Sequence, residues 1–231
     1  MIDAIAPEIA KARDVLDVGC GNGAYLTKFV EAPGVRTVTG IDLTFDMLLS
    51  ARNRVGAKCP LICANVSRMP FKPESFDFIF ASHVLQFIPD VDLDGVVAEF
   101  VGCLQPGGVM IATGQRDDSV RQMLGAIVGP DRWREYREVI FRRAARREAD
   151  ALPKDRYQRA FAKADLRVEE RTAPFAVTWA DIDEWLKLRW IALIPNDERE
   201  RANAMLAEIA KEAASRSLTQ HEPLIIGRRD R

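Results

Sequence analysis

Short apolar runs alternate with amphipathic stretches along the first half of the chain. Val15 to Gly19 is an apolar run stopped by glycine, the pattern of a buried parallel strand, and Ala24 to Glu31 follows with helical character. Residues 35–43, "VRTVTGIDL", are rich in β-branched side chains and predict a second strand that closes around Asp42. Thr44 to Val55 predicts a helix, with Thr44 as N-cap and Phe45, Leu48, Leu49 and Arg52 at helical spacing. A third strand is expected over 60–66 and a fourth over 76–85. A helix is expected from Asp92 to Leu104, stopped by "QPGG", and a fifth strand over 108–114.

Strand and helix thus alternate five times in about 100 residues, which implies a parallel sheet with right-handed crossovers and helices on both faces. The rhythm is lost after Gly114. Residues 117–164 read as helical and arginine-rich, and 165–179 as a sixth strand. Residues 180–193 form an amphipathic helical pattern ended by Pro195, and Asp197 to Ser217 a polar one. The segment 222–230 predicts a last strand, buried through Leu224, Ile225 and Ile226. One domain over 1–231, with a helical cap insertion, is the expected organisation.

Composition narrows the function classes. The formal net charge of -1 supplies no global field that would draw the chain to nucleic acid or anionic lipid. No apolar run approaches the ~18 residues of a membrane span. The opening "MIDAIAPEIAKARD" mixes charges through its length, so a signal peptide is not expected and a cytoplasmic location is. The cysteines, at 20, 59, 63 and 103, come with only two histidines, His83 and His221, so no metal site is expected and the thiols read as buried and reduced.

The chemistry begins at "VLDVGCGNGAYL", residues 15–26. Gly19, Gly21 and Gly23 are spaced G-x-G-x-G, not the G-x-G-x-x-G of a dinucleotide turn, and no Gly-Lys-Ser/Thr follows as in a P-loop. A turn this bare suits a ligand lying along the backbone itself. Asp17 stands on the strand before it, and Asp42 ends the next strand, 19 residues beyond Gly23. A carboxylate there can accept from both hydroxyls of a ribose and disfavours a 2′-phosphate. Asp17 can accept from an ammonium. Ribose plus cation without phosphate favours S-adenosylmethionine over NAD.

With "GIDLTFDML" (40–48), "ANVSRMPFKPESFDFIFASHVLQFIPD" (64–90) and "LQPGGVMI" (104–111) in order behind "VLDVGCGNG" (15–23), the chain resembles the class I S-adenosylmethionine-dependent methyltransferases of the small-molecule type. The resemblance implies a Rossmann-like, doubly wound α/β fold: seven strands, mostly parallel, the last antiparallel. Residues 1–114 would be the cofactor-binding half and 115–231 the acceptor and cap half. It further implies that Asp17, Gly19, Cys20 and Gly21 line the methionine moiety and that Asp42 holds the ribose. Leu43 and Met47 would lie against the adenine, Asn65 and Val66 at its amino edge and flank. Asn65 stands where the family usually has Asp; its side-chain carbonyl still accepts. Ser82 and His83 would face the methionine end and the acceptor. Many relatives carry a histidine pair where this chain has Gln86 and Phe87, so no acid–base role carries over there.

Other side chains leave alternatives open. His83 can act as a general base, or shape the pocket through hydrogen bonds. Tyr25 can face a sulfonium or simply pack. Arg142, Arg143, Arg146 and Arg147 read as a solvated helix face against an RNA patch. Trp179, Trp185, Trp190 and Phe175 read equally as acceptor wall or core. Only 14 residues precede the first strand, so the cap segments or a second subunit, as in a homodimer, would close the site. The expected activity is methyl transfer to an O, N or C atom of a small organic acceptor. The alternatives are a tRNA-modifying enzyme, because wobble-uridine carboxymethyl methyltransferases have similar segments, and a non-catalytic cofactor-binding subunit.

Overall fold

A computed structural model of the chain describes residues 2–114, 124–140, 155–177, 179, 196–214, 216 and 218–231. In chain order these form α1 (Ile2–Ile9), β1 (Asp14–Val18), α2 (Ala24–Val30), β2 (Thr37–Asp42), α3 (Phe45–Val55), β3 (Leu61–Cys63) and β4 (Phe76–Ser82). Then come α4 (Asp90–Cys103), β5 (Leu104–Thr113), α5 (Pro130–Ile140), α6 (Arg156–Lys163), β6 (Leu166–Val177), α7 (Asn196–Ala213) and β7 (Leu218–Arg229). The strands form one seven-stranded sheet in the order β3-β2-β1-β4-β5-β7-β6. Pairing is parallel from β3 through β5, and β7 runs antiparallel to β5. This is the doubly wound α/β architecture that the alternation of elements predicts.

The two-residue period of the strands sorts their side chains onto opposite faces. Phe78 and Phe80 of β4, Ile111 of β5, and Leu224 and Ile226 of β7 bury against Ile5 and Ile9 of α1, Leu26 and Phe29 of α2, and Ala51 and Val55 of α3. The intervening Ile79, Ala81, Met110, Ala112 and Ile225 bury against Val96, Val97 and Phe100 of α4 and Phe161 of α6. All five residues of β1 are buried. With both faces covered, the central strands β1, β4 and β5 are rich in buried apolar residues, which makes them legible in the sequence.

Two compact units are distinguished. One comprises Met1–Gln115, Lys154–Ala173 and Pro223–Arg231, the other Arg116–Pro153 and Pro174–Glu222. In the second, α5 and α7 are joined by Arg132 to Glu212, Tyr136 to Glu208 and Arg201 to Glu135. In the first, α1 is tied to the sheet by charge as well as by Ile5 and Ile9. Glu8, 4% exposed, pairs with Arg171 of β6 at 3.1 Å and Arg228 of β7 at 2.8 Å.

Several expectations are corrected. α1 occupies the stretch before the first strand, where no element was expected. Thr44 stands at the N-cap, but its side chain makes no capping bond. Phe45 and Leu49 are exposed, and the buried face of α3 is Leu48, Ala51 and Val55. "QPGG" does not separate helix from strand: Leu104 already pairs with Phe76, and the register shifts before Val109 pairs with Phe78. β3 is limited to Leu61–Cys63, and β4 ends at Ser82 because His83 turns out of the strand with a φ of 57°. Cys20, Cys59 and Cys103 are buried thiols, but Cys63 is exposed. The arginines at 142–147, the helix expected over 180–193, Trp185 and Trp190 lie outside the described residues.

Candidate functional site

Parallel pairing brings the C-terminal ends of β1 to β5 to one edge, and the strand order reverses between β1 and β4. Such a switch point opens a crevice beyond the strand ends. The loop after β1 lies at this edge. There the N–H of Cys20 donates to the carbonyl of Ile41 at 3.0 Å, and the N–H of Gly21 donates to Oδ2 of Asp42 at 2.9 Å. Asp42 also accepts from the N–H of Thr44 through Oδ1 at 2.8 Å. The half-buried Asp42 therefore shapes the turn. Two backbone donors leave about half of the four acceptor sites of a carboxylate for hydroxyls.

Asp17 is different. It is 1% exposed, and its Oδ2 has no hydrogen-bond partner among the described residues. Burial, reinforced by the nearby Asp42 carboxylate, holds its carboxyl well above the usual carboxylate range. A buried acceptor without a donor is costly, and a cation delivered to it removes that cost. The same burial pushes the Cys20 thiol far up. Cys20 packs inward, its Sγ 2.9 Å from where a Cβ on Gly40 would sit.

The three glycines stand in two kinds of surroundings. A Cβ on Gly19 would fall 2.2 Å from Cγ2 of Val84, and one on Gly23 would fall 3.0 Å from the Ala51 Cβ in α3. At Gly21 a Cβ would meet nothing within 4 Å. Protein packing thus requires glycine at 19 and 23, whereas at Gly21 the missing Cβ leaves free space. All three have positive φ, 63°, 52° and 80°.

On the β2–β3 side, Leu43 is 67% and Met47 47% exposed, large apolar groups available to cover a flat ring. The N–H of Ala64 donates to the carbonyl of Asp42 at 3.1 Å, which carries Asn65 to the same edge. Asn65 is exposed, and its Oδ1 accepts from the N–H of Ser67 at 2.9 Å, leaving one lone pair and the amide donors. Val66 is 9% exposed and packs in the core against the α4 side.

On the β4–β5 side, Ser82 and Thr113 stand in register with hydroxyls 3.1 Å apart. The N–H of His83 donates to the carbonyl of Thr113 at 3.0 Å. Tyr25 packs edge-on against Phe80, with centroids 4.9 Å apart, which fits its packing alternative. Sequence reasoning missed Thr113, Arg156 and Tyr157. The Tyr157 hydroxyl would lie 3.1 Å from a Cβ on Gly114, at the end of β5. Thr113 was available from the register of two parallel strands; Arg156 and Tyr157 open a helix whose N-cap residue, Asp155, makes no side-chain capping bond, and their neighbours are distant in sequence.

The comparisons with known proteins meet this geometry. The family described as "Methyltransferase domain" matches residues 15–108, from β1 into β5. Trans-aconitate 2-methyltransferase of Rhizobium leguminosarum is 30% identical over 188 residues, covering 78% of this chain and 69% of that protein. The chain belongs to the class I S-adenosylmethionine-dependent methyltransferases. A malonyl-[acyl-carrier protein] O-methyltransferase of Legionella pneumophila is 27% identical over 130 residues, 55% of this methyltransferase chain. The match spans only 45% of the Legionella protein. The crystal structure of the YcgJ protein of Bacillus subtilis shares the fold, with a TM-score of 0.62 at 17% identity over 100% of this methyltransferase and 98% of that chain. Among the described residues no helix is long and apolar enough to cross a membrane.

Proposed function

We propose that this methyltransferase transfers a methyl group to an O, N or C atom of a small organic acceptor held beyond the ends of β4 and β5. The observation that carries the reading is Asp17, a fully buried carboxyl with an unpartnered oxygen at the base of a turn whose middle glycine opens on free space. The residues present fit S-adenosylmethionine. Asp17 would hold its ammonium, Asp42 the ribose hydroxyls, Leu43 and Met47 would lie against the adenine, Val66 at its flank and Asn65 at its edge. Gly19, Cys20 and Gly21 would offer backbone along the methionine chain, and Ser82 would stand at its reactive end. When bound, the cofactor supplies an electrophilic methyl on a sulfonium.

The chain's own part is to position and to exclude water. Alignment of a nucleophile with a bound electrophile is worth up to about 7–11 kcal/mol of barrier, so no strong acid or base is required for a neutral acceptor. His83 is the candidate base where the acceptor must lose a proton. The Rhizobium relative is named for a small molecule, trans-aconitate, and the balance of 33 Lys+Arg against 34 Asp+Glu supplies no net attraction for a polyanion. Incubation with labelled S-adenosylmethionine and pools of small organic acids, amines and phenols tests the reading. Label should appear in a small product. Label transferred only to tRNA, with binding that weakens steeply as salt rises, would contradict it.

A further inference from the structure

The short turn after β4 is held at three places. It starts at His83, whose φ of 57° lies in the left-handed region that side-chain-bearing residues rarely adopt. The Thr113 carbonyl fixes the N–H of that residue. Val84 then fills the space that a Cβ on Gly19 would need, so the turn touches the glycine loop directly. Its far end is gripped by Arg156, the first residue of α6. The Arg156 side chain is 5% exposed, its Nη2 donates to the carbonyl of Ile88 at 2.8 Å, and its Nη1 lies 3.5 Å from the carbonyl of Leu85. Asp90 accepts from the same Nη2 at 2.7 Å, and the guanidinium lies over the Tyr157 ring, 5.4 Å from its centroid.

A guanidinium this buried loses hydration that fixed acceptors must replace; both Nη atoms find them, and Nε has no hydrogen-bond partner among the described residues. Two of its acceptors are carbonyls of a single turn, Leu85 and Ile88, rather than of a helix or strand. The cation therefore dictates the path of the turn that carries His83 and Val84. We propose that Arg156 is a positioning residue: by binding the Leu85 and Ile88 carbonyls it fixes the His83–Ile88 turn and sets His83 and Val84 against the glycine loop. The functional meaning of that position rests on the methyl-transfer reading; the clamp itself does not.

Three amides report on the turn: those of His83, Phe87 and Ile88 donate to Thr113, Val84 and Leu85. In a His221→Asn background His83 is the only imidazole. Arg156→Gln should speed hydrogen exchange at the three amides about tenfold or more, leave the β1 and β4 amides within about twofold, and move the His83 ring-proton resonance. Affinity for S-adenosylhomocysteine should fall with it through the Val84–Gly19 contact. Should Arg156→Gln fail to fold, Arg156→Lys keeps the cation but not the two-pronged grip, and a smaller acceleration confined to the same amides is expected. Unchanged exchange and an unmoved His83 resonance overturn the proposal. So does acceleration spread evenly over the sheet, which would mark Arg156 as a stabiliser of the whole unit. Wild-type protein that binds no S-adenosylhomocysteine refutes the functional reading alone, because the exchange data still decide on Arg156.

Discussion

Gly21 and Asp17 carry the most specific expectations at the scale of single residues. A Cβ on Gly21 meets no protein atom within 4 Å, so Gly21→Ala should cost only the left-handed strain, about 1–2 kcal/mol. It should nevertheless weaken S-adenosylhomocysteine binding at least about tenfold, because the added methyl stands in ligand space. Gly23→Ala should show the reverse, lowering the melting temperature more by pressing on Ala51 while changing affinity less. Asp17 predicts a pH dependence of definite sign. Its folded-state pKa is raised from 3.8, so its contribution to stability is full below the unfolded value and is lost as pH rises through the folded one. Asp17→Asn should therefore raise the melting temperature of the cofactor-free protein at pH 8, by about 2–4 °C per kcal/mol, with the gain fading towards pH 4. The ammonium of S-adenosylhomocysteine requires the ionised form, so wild-type affinity should climb with pH and binding should release a proton, visible in buffers of different ionisation enthalpy. The Asn variant should show neither.

At the scale of elements, the attachment of α1 to β6 and β7 through Glu8 can be tested directly. Glu8→Gln removes the charge facing Arg171 and Arg228, which are each about one-third exposed. Because those cations can turn to water, the loss should be about 1–3 kcal/mol in urea unfolding, below the range for a wholly buried pair. α1 itself shows where sequence legibility ended. Its eight residues contain Pro7 and no capping pattern, so only the packing of Ile5 and Ile9 reveals it. β1, β4 and β5 are legible because strands covered on both faces are dense in apolar residues, and β2 because of its β-branched residues. The site followed the same division. Asp17, the glycines and Asp42 stand on or beside those strands, so their spacing could be read along with the strands. Arg156 and Tyr157 belong to α6, where long-range burial rather than periodicity gives them their neighbours, and Val84 explains Gly19 only once the turn after β4 is seen in space.

For the whole molecule, the central claim is that the edge of the sheet at β1 and β2 is built for a cationic nucleoside without phosphate. The chain's balanced charge, the open space at Gly21, the orphaned oxygen of Asp17 and the two-donor cradle of Asp42 all bear on that one ligand. Asp42 also ties the glycine turn to β2, so Asp42→Asn, which keeps an acceptor for a backbone N–H, is a cleaner probe of ribose binding than Asp42→Ala. The most direct measurement is calorimetric titration of the protein with S-adenosylhomocysteine and, separately, with NAD. Micromolar binding of S-adenosylhomocysteine, weakened at least about tenfold in Asp42→Asn, with no heat from NAD, is the predicted result. Micromolar NAD binding, or no binding of S-adenosylhomocysteine by folded wild-type protein, would contradict the account.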